Sequence, residues 1–578
     1  SIERECAMTT PREAGPSTPG KAWWRFRVLL VGLVLCRGLV LLCVLPPFEG
    51  WDEYQHVGYV VHVGETGRRA VLNETVVPPT LVTAAVQFPQ PKSALEQIGR
   101  LGAVDYATFW TRRDPPVRQA GEVALYQAQH APMYYRMAAP LFRALGGVAD
   151  LRTSVGGLRL VNLLLTAVAV AVVLEGVGRV VRRPRDAALI GLVIAAQPLL
   201  LFNGVRVASD ALGVLLAAVV VSWGLRLHRR RLLVGSAGLG LATGLAILAK
   251  AVNFGLVPFV ASCLLLVVVR DRPSLRRSAL GGLLLALGVV AVTQFEWRLN
   301  LARFGGLTPM QEAVVNRSRG RTAGDLLGVA AAMDWSKVVR RLWLRDSFFA
   351  GGWSFLGTDV RLVKLYYFAG LAGLAGWGWR VVARGRRESA VFESARAPAA
   401  GLVLCAGFTA ALAYHMVQSK LAWGAPTTTP WYACPALPWF LMLVAGGGLA
   451  WPIGRFRAAV PVLLTTACLA GESFAVWARM VPTYSGGASG LEALRRLAHL
   501  QPPAFGTATL LTASIGSWVM LAAAAVVLRA ADGRSVPRRD ADASPSRPAP
   551  HRASPREGVR SRSPNAPAHP ADVPGSPR

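Results

Sequence analysis

The sequence predicts an all-α, polytopic membrane protein with about twelve transmembrane helices. It also predicts a long first extracytoplasmic loop with interfacial helices, and a disordered C-terminal tail. Three observations carry this. Of 578 residues, 53% are apolar, and mean hydropathy is +0.39. Apolar stretches of about 20 residues, the length that crosses a hydrocarbon core, recur along the chain. Arginines and lysines collect on alternate connections between those stretches, as the positive-inside rule requires. Backbone in hydrocarbon must satisfy its own hydrogen bonds, and with no period-two barrel pattern the spans are helices.

In chain order the spans fall near 26–47, 158–178, 187–204, 208–226, 232–249, 251–269, 277–296, 364–381, 399–417, 430–449, 458–478 and 508–529. Lys21, Arg25 and Arg27 precede the first. Arg179–Arg185, Arg226–Arg231, Arg270–Arg277, Arg380–Arg387 and Arg455–Arg457 follow the even-numbered ones through the tenth. A cytoplasmic amino terminus puts every cluster inside a cell membrane, with the carboxyl terminus inside too. The long connections 48–157, 297–363 and 479–507 are then external. Met133–Gly146 is apolar but too short to span, which suits an interfacial or re-entrant helix. Residues 22–530 form the transmembrane domain, flanked by a disordered 1–21 and a basic, Pro/Ser/Arg-rich cytoplasmic tail 531–578 that lacks the apolar residues to order itself. Residues ahead of Met8 are set aside as upstream of the start codon. The first span, long and interrupted by Arg37, does not read as a cleaved signal.

The formal charge of +31 and pI of 11.2 are a topology signal. The cations are scattered over loops without a recognition motif, which excludes nucleic acid as a partner. There is no P-loop and no GxGxxG after a strand, which disfavours an ATP-driven pump or a Rossmann-type nucleotide-sugar enzyme. Cys36, Cys43, Cys263, Cys405, Cys434 and Cys468 lie in or beside spans, so neither a disulfide framework nor metal-thiolate spacing appears.

Four polar constellations fall on the outer side. The first follows the opening span: Pro46-Pro47-Phe48-Glu49-Gly50-Trp51-Asp52-Glu53-Tyr54-Gln55-His56. Carboxylates at a membrane boundary are functional candidates. Asp52 and Glu53, with His56, read as a general base or divalent-metal ligands, against the plainer reading of an interfacial helix stop. The second is Tyr126 to Tyr135, where His130 orients a sugar or binds phosphate and Tyr134 and Tyr135 also suit an aromatic belt. The third is a set of external cations, Arg206, Lys250, Arg298, Arg303, Arg345, His415 and Lys420, with Asp210 closing the hairpin that holds Arg206. Each alone can snorkel to lipid phosphate; together they suit a lipid-borne phosphate. The fourth is Thr427 to Pro438, whose three prolines around Trp431 and Tyr432 imply irregular backbone beside a cavity, or a structural kink.

Taken in order, Asp52-Glu53, Gln129-His130-Ala131-Pro132-Met133-Tyr134-Tyr135, Leu158-Arg159-Leu160, Gln197-Pro198 to Ser209-Asp210-Ala211, and Thr429-Pro430-Trp431-Tyr432 resemble the GT-C superfamily of polytopic glycosyltransferases. Protein O-mannosyltransferases, lipid A aminoarabinose transferases and a bacterial branch of that superfamily stand nearest this pattern. That branch usually carries Arg-Tyr where this chain has Trp431-Tyr432. The resemblance implies transfer of a sugar from a polyprenyl-phosphate donor to an extracytoplasmic glycan, lipid or protein acceptor within the bilayer. It implies Asp52 as general base, with Glu53 supporting it or binding Mg, Mn or Ca, although the family also has metal-independent members. Lys250, Arg206, Arg345 and His415 would hold the leaving phosphate, and His56, His130, Tyr134, Asp210 and Tyr432 would line the substrate site. A lipid-sugar flippase and a surface-polysaccharide polymerase or ligase share the compartment. The first calls for inverted repeats and mid-span polar residues, the second for a large late outer loop, and the chain shows neither clearly.

Overall fold

The computed structural model describes residues 21–113, 121–382, 391–427, 430–452 and 457–533. The two segments expected to be disordered lie outside these residues, apart from 21 and 531–533, which continue their neighbouring helices. Among the described residues the protein is helical throughout, with isolated bridges at Val76–Ala124 and Val181–Phe392.

Each of the twelve expected spans coincides with a helix, but they are not equivalent. Among the described residues eight helices are long and apolar enough to cross a membrane, and nine if the bent pair Pro184–Ala196 and Pro198–Val205 counts as one span. Val360–Val382 does not meet that test. Asp210–Gly224 and Leu437–Leu449 have 15 and 13 residues. At about 1.5 Å per residue they fall short of a hydrocarbon core of about 30 Å. Every residue of Leu437–Leu449 is buried. A helix apolar on all sides and enclosed by protein has the same hydropathy as a span, which is why both read as spans. Helix Leu275–Phe304 shows the opposite pattern: Leu283, Leu287, Val290 and Phe295 are exposed, an apolar face for lipid. This helix packs along Leu232–Ala249, and a Cβ at Gly240 would lie 2.2 Å from the Leu285 carbonyl oxygen. The small residue sets the close approach of the two helices.

The bent pair has a chemical cause. Pro198 lacks an N–H and Gln197 before it is extended, so the helix turns by 48°. Arg37, from the middle of the opening helix Lys21–Val44, donates to the carbonyls of Ala195 and Ala196 there, and pairs with Glu472 across the bundle. Arg37 and Glu472 are both buried. The charge that interrupts the first span thus caps freed backbone groups, which hydrocarbon cannot do.

The long connections 48–157, 297–363 and 479–507 carry their own short helices. Glu53–Thr66 packs on Met133–Ala144, which coincides with the short apolar segment of the sequence. Gly490–Leu500 lies in the last of these connections.

Candidate active site

The acidic run after the opening helix points its three carboxylates in three directions. The helix ends at Val44 ahead of Pro46-Pro47, and Phe48 and Asp52 then take left-handed φ values of 70° and 55°. Such values cost a residue with a Cβ about 1–3 kcal/mol and concentrate at functional sites. Gly50 is needed between them, since a Cβ there would lie 2.6 Å from Arg206 Cβ.

Glu49 is turned away from the others and is fully buried. It accepts hydrogen bonds from the Tyr106 hydroxyl, from Tyr484 Oη (2.9 Å), and from Ser354 N and Oγ (2.7 and 3.0 Å). It so ties the three long connections together. Burial pushes its carboxyl up to about 7, against the pull of those four donors. A folded-state value above the ordinary 4.5 gives a stability contribution that is full below about pH 4.5 and lost as pH rises through 7. The difference is worth about 3 kcal/mol. Thermal unfolding of the detergent-purified protein should therefore show a melting temperature that falls between pH 5 and 7.5. Glu49→Gln, less stable at pH 5 but with nothing to titrate, should lose that slope. An equal slope in both proteins would show that Glu49 does not titrate there.

Glu53 turns into the bundle. Arg159, buried in helix Leu151–Val180, donates Nε to Glu53 Oε1 at 2.8 Å and a second nitrogen to Oε2. Val207 N reaches Oε1 at 2.8 Å and Gly50 N reaches Oε2 at 3.2 Å. With both oxygens occupied, Glu53 has no lone pair directed at a substrate or a cation, so its geometry is that of a structural carboxylate. Nor does the Asp52–Glu53 pair fit Mg, Mn or Ca. The two side chains diverge, and among the described residues no three His, Cys, Asp or Glu side chains are arranged to hold a metal ion.

Asp52 is the one left over. It caps helix Glu53–Thr66 by position, but its side chain makes no capping bond. Oδ1 accepts from Tyr126 Oη at 2.6 Å, and Oδ2 has no hydrogen-bond partner among the described residues. Burial raises the carboxyl above its ordinary value, with Asp210 adding to the rise, while the Tyr126 hydroxyl and the charges of Arg206 and Lys250 oppose it.

The cations expected to be free for phosphate are partly spoken for. Asp210 Oδ2 accepts from Arg206 (2.7 Å) and from Lys250 Nζ (2.9 Å), so one carboxylate bridges both. Arg206 also donates to Asn203 Oδ1 (3.1 Å) and to the Trp51 carbonyl, and lies over the Trp51 ring. Lys250 Nζ lies 3.5 Å from His130 Nε2 and 5.4 Å from the centre of the Tyr432 ring. His130 stacks on His56 with centroids 5.8 Å apart, and His56 Nδ1 meets Tyr135 Oη at 2.8 Å. Burial, reinforced by Arg206 and Lys250, holds both imidazoles well below the ordinary value and hence neutral.

Two expected residues are not in this cluster. Arg345 is exposed at the end of a π-turn, and no hydrogen bond or ion pair joins it to a side chain of the cluster among the described residues. Tyr134 is taken by Asn162, which it meets at 3.2 and 3.0 Å, and its neighbour Tyr135 is the one that reaches His56.

A cavity of about 470 Å³ adjoins the cluster. Its lining combines polar Gln129, His130, Lys250, Arg317, His415 and Tyr432 with apolar Val252, Phe254, Leu307, Met310 and Leu412, and His130, Lys250 and Tyr432 stand together in it. His415 stands edge-on to Tyr432 at 5.5 Å and lies 3.6 Å from Glu312. Burial works against ionisation of Glu312, yet the hydrogen bond and charge of His415 hold its carboxyl below the usual range. At the position where an arginine was expected, Trp431 stacks on Trp51 at 4.0 Å and 8°. The residue beside the Asp52 turn here is thus one half of an aromatic pair.

Tyr126 and Glu312 are the site residues that sequence reasoning passed over. Tyr126 had a signal, since it opens the turn Tyr126–Gln129 that also delivers His130. Glu312, more than 100 residues from His415, had none.

The profile of a family described as "Predicted membrane protein (DUF2142)" matches residues 35–427. The chain belongs to the DUF2142 family. That match takes in the acidic turn, His130, the 203–210 hairpin, Lys250 and His415, but ends before Trp431 and Tyr432. Among solved structures the chain is similar to ArnT from Cupriavidus metallidurans bound to undecaprenyl phosphate. The identity is 14% and the TM-score 0.38, over 86% of this chain and 78% of that one. It is also similar to the Archaeoglobus fulgidus oligosaccharyltransferase tethered to an acceptor peptide, at 12% identity and a TM-score of 0.34 over 81% and 57%. No curated protein matches in sequence.

Proposed function

We propose that this protein is a glycosyltransferase of the GT-C type, working at the outer face of the cell membrane with both termini in the cytoplasm. It transfers a sugar from a polyprenyl-phosphate donor to the hydroxyl of an extracytoplasmic glycan, lipid or protein. The observation that carries this is the 470 Å³ cavity, whose lining joins a polar group around Lys250 and His130 to apolar side chains such as Phe254, Leu307 and Leu412. A phosphate on a hydrocarbon chain has that same division of character. Asp52, within the electrostatic reach of Lys250 and Arg206, supplies a carboxylate oxygen without a partner.

In this reading Asp52 Oδ2 takes the proton of the acceptor hydroxyl as its oxygen attacks the anomeric carbon. The bond from that carbon to the phosphate oxygen breaks, and the polyprenyl phosphate leaves with the electron pair. Lys250 donates to the departing oxygens. Asp210, already shared between Arg206 and Lys250, keeps the ammonium ionised and aimed in an otherwise buried place. Tyr432 and His415 line the same cavity. Preorganised charge at the leaving group is commonly the largest contribution in such sites.

The test is transfer by the purified chain in proteoliposomes, with titrated polyprenyl-phosphate sugar and release of polyprenyl phosphate as the readout. Lys250→Ala leaves Asp210 paired with Arg206, so the fold should persist. One charge-assisted contact of about 1.5–3 kcal/mol corresponds to a loss of roughly ten- to a hundredfold in donor use, with acceptor dependence unchanged. Lys250→Arg should restore part of it. A donor response identical to wild type would remove the phosphate from this end of the cavity.

A further inference from the structure

The Asp52 turn has two oddities that one neighbour explains. Asp52 sits at the N-cap of Glu53–Thr66, where an aspartate ordinarily accepts a bond from the first turn of its own helix, yet its side chain makes none. Its backbone is left-handed, at φ 55° and ψ 16°. Both follow if the carboxylate is drawn off the helix end, and the group that holds it there is Tyr126, whose hydroxyl lies 2.6 Å from Oδ1. The remainder of the network is fixed from the other side. The Tyr54 hydroxyl donates to Gln97, and Gln55 Nε2 binds Tyr54 Oη (2.8 Å) and the Ala124 carbonyl (3.1 Å). The strand of chain leading into Tyr126 is thus pinned to the helix that Asp52 begins.

We propose that Tyr126 is the positioning residue for the base. Its hydroxyl, donating to Asp52 Oδ1, holds the carboxylate off the helix end and ionised, and leaves Oδ2 as the oxygen that receives the acceptor proton. The proposal rests on the reading of Asp52 as a base. Tyr126 touches neither donor nor acceptor; it acts through Asp52. Tyr126 is the direct hydrogen-bond donor to the Asp52 carboxylate among the described residues. Of the other groups facing it, Arg206 and Lys250 also favour the ionised carboxylate and Asp210 opposes it. These other groups are Tyr54 from its own helix, Arg206 and the opposing Asp210 from the 203–210 hairpin, Lys250 from the corner after helix Leu232–Ala249, and Tyr432 from segment Pro430–Ala433. His56 and His130, nearby, stay neutral across the working range. A hydroxyl donating to a carboxylate favours the ionised form, so its loss makes Asp52 hold its proton to higher pH.

The experiment compares wild type with Tyr126→Phe and with 3,5-difluorotyrosine placed at 126, all as the full chain. The first readout is the pH dependence of kcat for transfer. The second is independent of turnover: infrared titration of the Asp52 carboxyl, its band identified by loss in Asp52→Asn. For Tyr126→Phe the acidic limb and the infrared midpoint should both rise by about one to two pH units. The best kcat should fall roughly tenfold and donor KM should hold. Difluorotyrosine, nearly the same size but a stronger donor, should move the limb and midpoint down. A purely structural role would lower kcat without moving either, and a Phe variant with wild-type limb and midpoint overturns the proposal. If the Phe variant does not fold, the direction of the difluorotyrosine shift decides alone. Should the wild type show no transfer while the infrared midpoint moves as described, the positioning role stands and the transferase reading fails.

Discussion

Asp52→Asn is expected to abolish transfer while the protein inserts, folds and melts as the wild type does. The substitution replaces one side-chain oxygen by an amide nitrogen, removing the proton acceptor together with the charge it carries, at nearly unchanged size. Asparagine is among the few residues with a side chain that adopt left-handed φ readily, so the 55° at this position is kept. Its carbonyl oxygen can still accept from Tyr126. Position and packing are therefore preserved, and the loss isolates the chemistry. General-base assistance is worth roughly two to four powers of ten in rate, and turnover in proteoliposomes should drop by that amount. Donor KM should be little changed, because the Lys250, His130 and Tyr432 end of the cavity is untouched. Asp52→Ala would be a poorer test, since it adds backbone strain to the loss of the base. Turnover of the Asn variant near the wild-type rate would remove Asp52 from the mechanism, and with it the role given to Tyr126.

Hydropathy and arginine placement disclosed the helical bundle because both are set by the bilayer and need no knowledge of tertiary contacts. The same logic located the acidic turn, since charge beside a span is conspicuous. What it could not disclose was the sorting of three neighbouring carboxylates. Residues 49, 52 and 53 face different ways because Phe48 and Asp52 break any regular period with left-handed φ values. Their partners, Ser354 and Tyr484 for Glu49 and Arg159 for Glu53, lie 106 to 435 residues away. The cation set was legible as a class but not as members. Arg206 and Lys250 are joined by Asp210, 4 and 40 residues from them, while Arg345, which the sequence could not tell apart from them, is exposed and joins no ion pair with the cluster among the described residues. Trp431 was visible as a departure, yet only the structure shows its stack on Trp51.

The pairing of Glu53 with Arg159 leads to the largest expected effect on stability. Arg159 binds both oxygens of Glu53 and also donates to the Leu45 and Pro46 carbonyls at 2.6 and 2.7 Å. One guanidinium so joins the end of the opening helix, the start of Glu53–Thr66 and the helix Leu151–Val180. The pair is almost wholly enclosed, at 2% and 0% side-chain exposure. Removing one partner of a buried ion pair costs about 3–5 kcal/mol, because the other charge stays desolvated and alone. Arg159→Ala should therefore unfold at markedly lower temperature or denaturant than wild type, and should distort the turn that carries Asp52. Glu53→Gln should also destabilise. Its one carbonyl oxygen can still accept from Arg159 Nε and Val207 N. Its NH2 then faces the donors Gly50 N and the second Arg159 nitrogen, and Arg159 loses its counter-charge. The decisive protein is the double variant Arg159→Met with Glu53→Leu. With both charges gone the desolvation cost goes too, and much of the stability lost in Arg159→Ala should return. The Leu45 carbonyl keeps one donor, Gln501 Nε2 at 2.7 Å, which helps the turn survive. Melting of the three variants in detergent tests this. If the double variant is no more stable than Arg159→Ala, the contribution of Arg159 lies in the backbone carbonyls and not in its pairing with Glu53. If it recovers stability yet transfers no sugar, the pair's purpose is to place the Asp52 turn, and the fold can do without it.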